Sequence, residues 1–337
     1  MSIELILSDF FNEYWLDISQ MFSNSQQRLF SGYLCAAFVI AFIYLVKTNT
    51  QHASISQLLY KACGFKHWLE KSALADYKVI FINKAIFMFF IPLLITKLSI
   101  ATAVFELMHV LFQPRSSLEN ILPDSFIIAA FTLFVFLFDD FARFLLHKLM
   151  HEIPWLWSFH KTHHSATVLT PLTVLRSHPV EGLIFAIRSA IVQGSSIALF
   201  LFFFPDQVDL YTVLKVNVFI FVFNMLGSNL RHSHISIRYW RWLETVLISP
   251  AQHQIHHSAN PHHFNKNYGA AIALWDKIFN SHCYSEKHLT LKFGLHHAQG
   301  KEMQSLYRLY IYAFVEIFLT CKSYVNIKRK TKNKSTE

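Results

Sequence analysis

Glycine is scarce in this chain, with eight in 337 residues, too few to punctuate a β-rich fold with tight turns, and alternating strand patterns are equally rare. Charged residues make up only 15%, well short of the roughly 25% usual in soluble domains. The four cysteines, Cys35, Cys63, Cys283 and Cys321, form no CxxC pair. That scatter excludes a disulfide framework and a thiolate metal site. The chain also lacks a cytochrome-type HPGG, a ferredoxin cysteine set and a GxGxxG loop, so no fused electron carrier is visible. It shows no low-complexity linker, and its only repeated elements are short histidine motifs, which favours one integrated domain.

What is present is apolar: 53% hydrophobic residues, including 34 phenylalanines. Such a composition predicts an all-α fold, a polytopic membrane helical bundle. Although the formal net charge is +9, the basic residues flank apolar runs, and the basic tail "NIKRKTKNK" follows an amphipathic stretch. Anionic lipid headgroups are therefore the expected partner, and nucleic acid is not. The acidic N-terminus "MSIELILSDFFNEYW" has no basic n-region and predicts no cleavable signal peptide.

A helix of roughly 20 apolar residues crosses a hydrocarbon core of about 30 Å. The runs at 29–46 and 125–146 meet that length, and 79–112 reads as one tilted span, with a two-helix hairpin as the competing reading. The runs at 182–204 and 208–227, joined by "PDQ", read as a hairpin that enters the membrane and returns. The excess of lysine and arginine places the 47–78 loop and the segments 141–180 and 229–302 on the cytoplasmic side. Three regions follow: an N-terminal transmembrane region at 1–124, a catalytic domain at 125–300 containing the 182–227 hairpin, and an amphipathic helix with a basic tail at 301–337.

Seventeen of the twenty histidines lie between His147 and His297, concentrated in the segments assigned to the cytoplasmic face. "HKLMH" sets His147 and His151 one helical turn apart, and "HKTHH" aims His160, His163 and His164 from a single turn. "HQIHH" repeats that spacing with His253, His256 and His257. Neutral imidazole suits zinc, iron, copper and nickel. One tetrahedral site needs about four ligands, so these eight histidines point to two metal ions in a cytosolic, histidine-rich cap. A zincin protease needs the glutamate of HExxH as its base, and Lys148 occupies that position here. A transporter would place its ligands at membrane depth, whereas these boxes lie at the ends of spans.

The stretch "DDFARFLLHKLMHEIPWLWSFHKTHHS", followed by "LRSHPVE", "SPAQHQIHHS" and "NKNYGAAIALWDKIFN", resembles the fatty acid hydroxylase and sterol desaturase superfamily of membrane-bound, histidine-ligated dimetal oxygenases. The resemblance covers about residues 130–282. It implies an O2-dependent oxidoreductase that hydroxylates or desaturates a lipid C–H bond with two iron ions, zinc being able to occupy the site in isolated protein. O2 would be the co-substrate, and a separate cytochrome, ferredoxin or reductase the electron donor. By position, the implied ligands are His147, His151, His160, His163, His164, His253, His256 and His257, with His232 and His234 of "NLRHSHI" as further candidates. Asp140 matches an aspartate common before the first box, with an expected role in fixing a ligand's tautomer through an outer hydrogen bond. Phe144, Lys148 and "FNS" depart from the family's frequent Tyr, Arg and Phe-Gly-Thr.

The remaining residues have bland readings beside the functional ones. His178, before Pro179, is a ligand, an outer hydrogen-bond partner or a turn residue. Asp276, beside Trp275, reads as an outer-shell or capping carboxylate. His262 and His263 read as solvated loop residues, and His282, His288, His296 and His297 as weaker candidates still. Arg188 and Lys215 fall in apolar runs and are expected to snorkel to the interface. Trp155, Trp157, Trp240, Trp242 and Trp275 suit an interfacial belt or a substrate wall. Two rival functions remain at this level, a zinc-handling membrane protein and a zinc-dependent lipid hydrolase.

Overall fold

The computed structural model describes residues 3–49, 53–90, 97–112, 122–205, 207–286, 290–295 and 303–334. His288, His296 and His297 lie outside these residues, as does most of the polar break at 113–121. The expected all-α architecture is present: among the described residues the strands are limited to a two-residue-per-strand hairpin, Thr212–Val213 against Val216–Asn217, and two isolated bridges.

Among the described residues three helices are long and apolar enough to cross a membrane: α2 (Ser31–Thr48), α7 (Asp124–Glu152) and α9 (Pro179–Phe203). They follow α1 (Ile3–Ser23) and are interleaved with α3 (Ile55–Cys63), α4 (Phe65–Trp68), α5 (Lys71–Phe90), α6 (Lys97–Leu111) and α8 (Pro154–His164). Two helices, α5 and α6, cover the described parts of the 79–112 run, residues 91–96 lying outside the described residues, and α6 packs along α9. The second arm of the expected 182–227 hairpin is different. After α9 the chain makes the small β-hairpin, with left-handed backbone at Leu214 and Lys215, and then only the eight-residue α10 (Val218–Met225). Lys215 therefore sits exposed in a turn, not in a span.

Arg188 does not snorkel either. Its Nη1 donates to Asp139 Oδ1 of α7 at 2.9 Å, and Arg143 one turn on donates to the same carboxylate at 3.0 Å. An acidic partner on the neighbouring helix neutralises the charge within the bundle, a less expensive solution than an unpaired cation among apolar side chains.

At about 1.5 Å per residue, the 29 residues of α7 make a rod of about 44 Å, longer than the hydrocarbon core. A helix of that length cannot lie wholly within the apolar layer, and His147 and His151 stand on its last turns. Pro154 ends it: the preceding Ile153 is forced to extended backbone, φ −93° and ψ 116°, and the proline then serves as the first residue of α8. This corner folds α8 back against the end of α7.

The remaining cap elements are short. A 3-10 turn at Pro171–Leu175 leads into α9, and Gly227, at φ +85°, opens a second at Ser228–His232. There follow α11 (Arg241–Glu244), α12 (Pro250–His256), α13 (Leu274–Ile278), α14 (Leu306–Tyr310) and α15 (Tyr312–Lys334). Ser249 caps α12 through a reciprocal pair of bonds with Gln252, and Pro250 takes its first position. Gln252 and Gln254 are both buried. Gln254 Nε2 faces the carbonyls of Leu230, Ser233 and Ile235 at 3.0–3.1 Å, fastening α12 to the segment that carries His232.

Candidate metal centre

The corner at Pro154 brings the first two histidine boxes face to face. His147 and His151 lie within ring-centroid distances of 4.8–4.9 Å of His160, and His151 is 4.7 Å from His164. From the far end of the sequence α12 adds His256, 4.5 Å from His147 and 4.7 Å from both His151 and His164. One coordinating nitrogen from each of these five residues falls within 4.8 Å of the others.

A second group of four stands beside it: His163, His232, His253 and His257. Their Nε2 atoms converge. His232 Nε2 is 3.3 Å from that of His163, 3.1 Å from that of His253 and 3.0 Å from that of His257, and the last two are 3.2 Å apart. Four nitrogens placed at about 2.0–2.1 Å around a tetrahedral ion would be separated by about 3.3 Å. Alternation of residues within each HxxHH box feeds both groups: His160 and His164 face the first, and His163 faces the second.

Hydrogen bonding fixes which nitrogen is available. His147 Nδ1 donates to the Tyr268 carbonyl at 2.7 Å, His256 Nδ1 to that of Lys266 at 2.8 Å and His163 Nδ1 to that of Arg176 at 3.2 Å. His160 Nδ1 donates to Glu181 Oε1 at 2.9 Å. Each of these rings then turns an Nε2 lone pair inward. Within the first group, the buried Nε2 atoms of His151, His160, His164 and His256 have no hydrogen-bond partner among the described residues. Buried polar atoms are normally satisfied, and a metal ion is the partner this donor set fits. In the second group the Nε2 atoms face one another, and the buried atoms without a partner among the described residues are Nδ1 of His253 and His257. His163, already donating through Nδ1, has no proton at Nε2 to offer its neighbours.

The electrostatics agree. Burial pushes His160 down to about 3 and His163 to about 4, with His160 adding to the shift of His163. His164, His232, His253, His256 and His257 also lie well below the ordinary imidazole range, burial first and neighbouring imidazoles second. At neutral pH these rings are uncharged, the form that binds metal. Neither group includes a carboxylate or a thiolate, so the donor set is nitrogen throughout.

Behind the ligand shell lies a polar frame. Asp276 accepts from the backbone N–H groups of Tyr268 and Gly269, both at 2.7 Å, and from Ser281 Oγ at 2.6 Å, so the Tyr268 carbonyl that holds His147 is itself held. A Cβ at Gly269 would sit 2.9 Å from Asp276 Oδ2 and 2.6 Å from the Ile272 carbonyl. The bare glycine is what lets the carboxylate approach. Asp140 accepts from Ala271 N, Ile272 N and Trp275 Nε1 at 2.9–3.1 Å. It therefore anchors the 268–275 loop from α7 instead of touching a ligand ring. Arg176, fully buried, pairs with Asp76 of α5 at 2.9 Å and donates to the Thr162 carbonyl at 3.0 Å, pinning the end of α8.

Of the ten histidines put forward from the sequence, the structure gathers nine. His234 is apart, its Nε2 donating to the Lys61 carbonyl at 2.7 Å. His178 also stands outside both groups: its Nε2 donates to the Tyr310 carbonyl at 2.9 Å, and its Nδ1 accepts from Val180 N to cap α9. His262 and His263 form part of an exposed 3-10 turn, and His282 Nε2 donates to the Glu244 carbonyl at 2.8 Å. Sequence reasoning missed Glu181, Tyr268, Arg176 and Asp76. Glu181 was within reach, as the acidic end of "LRSHPVE". A cavity of about 320 Å³ reaches the first group, bounded by His151, His164, His256, Trp157 and the Lys161–Glu316 ion pair that ties α15 to α8.

Residues 132–281 match the family described as fatty acid hydroxylase. Among curated proteins, the chain is 30% identical to human alkylglycerol monooxygenase over 162 residues, covering 48% of this chain and 32% of that protein. It is 29% identical to the alkylglycerol monooxygenase of Caenorhabditis elegans over 149 residues, 44% of this chain and 26% of that protein. A Delta(7)-sterol 5(6)-desaturase of Gibberella zeae is 30% identical over 156 residues, 46% of this chain and 42% of that protein. The matched segment thus spans about a quarter to a third of the length of these two monooxygenases. No solved structure matches. The matched segment contains all nine gathered histidines and both carboxylates of the polar frame, and over that segment the chain is similar to the fatty acid hydroxylase family and to lipid monooxygenases and desaturases.

Proposed function

We propose that this protein is a membrane-bound, O2-dependent oxidoreductase that hydroxylates or desaturates a C–H bond of a lipid, using a pair of iron ions and electrons from a separate donor. The observation that carries the reading is the sorting of nine enclosed histidines into two adjacent groups, one with four unpartnered Nε2 atoms and the other with four Nε2 atoms that converge on one another. His147, His151, His160, His164 and His256 would hold one ion, and His163, His232, His253 and His257 the other. Bound iron would supply the reduction of O2 to an oxidant strong enough to take hydrogen from an unactivated carbon.

The protein's own part is placement. Tyr268, Lys266, Arg176 and Glu181 hold ligand rings in the tautomer that presents Nε2. Asp140 and Asp276 fix the loop that begins at one of those acceptors, the Tyr268 carbonyl. The cavity at His151, His164 and His256 would admit the substrate's reacting segment, with Trp157, Phe264 and Leu295 as the apolar part of a wall that also carries Lys161 and Glu316. The exposed apolar side chains of α15, among them Phe314, Phe318 and Leu319, suit a helix lying against the membrane surface beside that mouth. The lysine-rich 47–78 loop supports a cytoplasmic position for the histidine cap.

The relatives' printed activities, on alkylglycerols and on a sterol, support a lipid substrate. A zinc-handling protein would not need this outer frame of eight-to-ten-residue and longer-range contacts, and a zinc hydrolase would need one metal and no O2. The test is turnover of a total lipid extract by the purified, iron-loaded protein with a chemical reductant, followed by mass spectrometry. Product that requires O2, iron and reductant together is expected. Product that forms under nitrogen would overturn the proposal.

A further inference from the structure

The short helices α11 and α13 carry large apolar side chains that the described fold leaves uncovered. Trp240 and Trp242 are 72% and 66% exposed and stack on each other, their ring centroids 6.2 Å apart. Val246 stands one turn beyond Trp242, and Leu274 and Ile278 stand one turn apart on α13, all three exposed. Ala273 N donates to the Val246 carbonyl at 2.8 Å, and Leu247 bridges to Ile272, so the two segments lie edge to edge. Exposed apolar patches of this kind mark protein or membrane contact sites.

Two observations say which. The first is the place of the patch in the fold. The uncharged part of α7 ends at Phe138, where Asp139, Asp140 and Arg143 begin. Just past that boundary, the ring of Phe141 lies 5.1 Å from that of Trp275 on α13 and 6.3 Å from that of Phe279. The patch therefore adjoins α7 where its apolar run gives way to charge, which for a spanning helix is the level of the headgroups. The second observation is charge. In segments 236–249 and 270–282 the cations Arg241 and Lys277 are exposed, while the two acids, Glu244 and Asp276, are buried. Indole rings beside exposed cations, with no exposed acid, match the surface of an anionic bilayer.

We propose that the α11–α13 face is a membrane anchor, seated in the headgroup region of a bilayer containing anionic phospholipid, with Trp240, Trp242, Leu274 and Ile278 towards the acyl chains and Arg241 and Lys277 at the phosphates. A soluble protein is the rival occupant, and the continuity of the face with α7 tells against it. The anchor is joined to the histidine groups: Asp276 of α13 accepts from Tyr268 N, and the Tyr268 carbonyl accepts from His147. Seating α13 thus sets the height of His147 relative to the acyl chains, a consequence that rests on the function proposed above, whereas the anchor itself does not.

The test uses the full chain in vesicles of phosphatidylcholine and phosphatidylglycerol, with a trace of phosphatidylcholine bearing a diazirine near the top of one acyl chain. Labelled peptides are located by mass spectrometry after irradiation, a readout independent of turnover. Residues 240–246 and 274–279 are expected to be labelled to within about tenfold of α9, as for a face buried at the boundary between headgroups and acyl chains. Ile278→Glu, which sets a charge against the acyl chains, should cut labelling of both segments by about tenfold. Lys277→Gln should cut it by about fivefold, the worth of one cation at an anionic surface, and it serves alone if Ile278→Glu does not fold. Wild-type labelling of the two segments further below that of α9 would overturn the anchor and leave the face to a protein partner. Labelling that neither substitution lowers would overturn it as well.

Discussion

Nε2 of His232 lies 3.0 Å from Nε2 of His257, and neither contact partner can satisfy the other when both rings are neutral and present lone pairs. This close approach, repeated with His163 and His253, brings four nitrogens to about the spacing that a tetrahedral metal ion would need. It also separates His232 from His234, two positions away. His232→Ala is expected to lower metal content from two ions per chain towards one and to reduce turnover by more than the roughly 10–100-fold typical of losing an outer-shell partner. His234→Ala should keep both ions. Elemental analysis of the two variants decides between them.

Glu181 accepts from His160 Nδ1 at 2.9 Å in a fully enclosed setting. Glu181→Ala should weaken metal binding by about 10–100-fold, while Glu181→Gln, whose amide oxygen also accepts, should retain much of it. A competitive chelator titration reads both. Equal losses in the two variants would show that the carboxylate's charge, and not its hydrogen bond, matters.

Asp276 accepts three hydrogen bonds, two of them from backbone. Asn offers one acceptor oxygen and a misplaced donor. Asp276→Asn should therefore destabilise the protein by about 2–4 kcal/mol, the order expected for losing charge-assisted bonds and stranding buried N–H groups. Thermal unfolding of the metal-loaded chain checks this. An unchanged transition would mean that the 268–275 loop is held chiefly by Asp140.

The buried imidazoles make the metal-free protein acid-sensitive. His160 and His163 have folded values of about 3 and about 4, against about 6.5 in the unfolded chain. As pH falls below about 6.5 the unfolded state takes up protons that the folded state refuses, so stability is complete above that pH and declines towards pH 4. The melting temperature of chelator-treated protein should fall steadily from pH 7 to pH 5. A flat profile over that window would contradict the burial of neutral rings.

Local spacing explains what the sequence revealed. Residues at i, i+3 and i+4 share a helical face, so "HKLMH", "HKTHH" and "HQIHH" could be read as ligand sets, and α2, α7 and α9 announced themselves by length and apolarity. The rest depended on contacts between distant residues. Tyr268 meets His147 across 121 positions and Arg176 meets Asp76 across 100, and no periodicity encodes such pairs. Asp140 has the predicted position but a different partner, because helical spacing fixes its side of α7 and not the loop that docks there. Arg188 misled for a related reason: its neutralising Asp139 belongs to another helix.

The proposed function requires two metal ions in one chain, in a nitrogen-donor environment. X-ray absorption and elemental analysis of iron-loaded protein test this directly. Two irons per chain with a nitrogen-dominated ligand shell are expected. A single iron, or a shell dominated by sulfur or carboxylate oxygen, would contradict it.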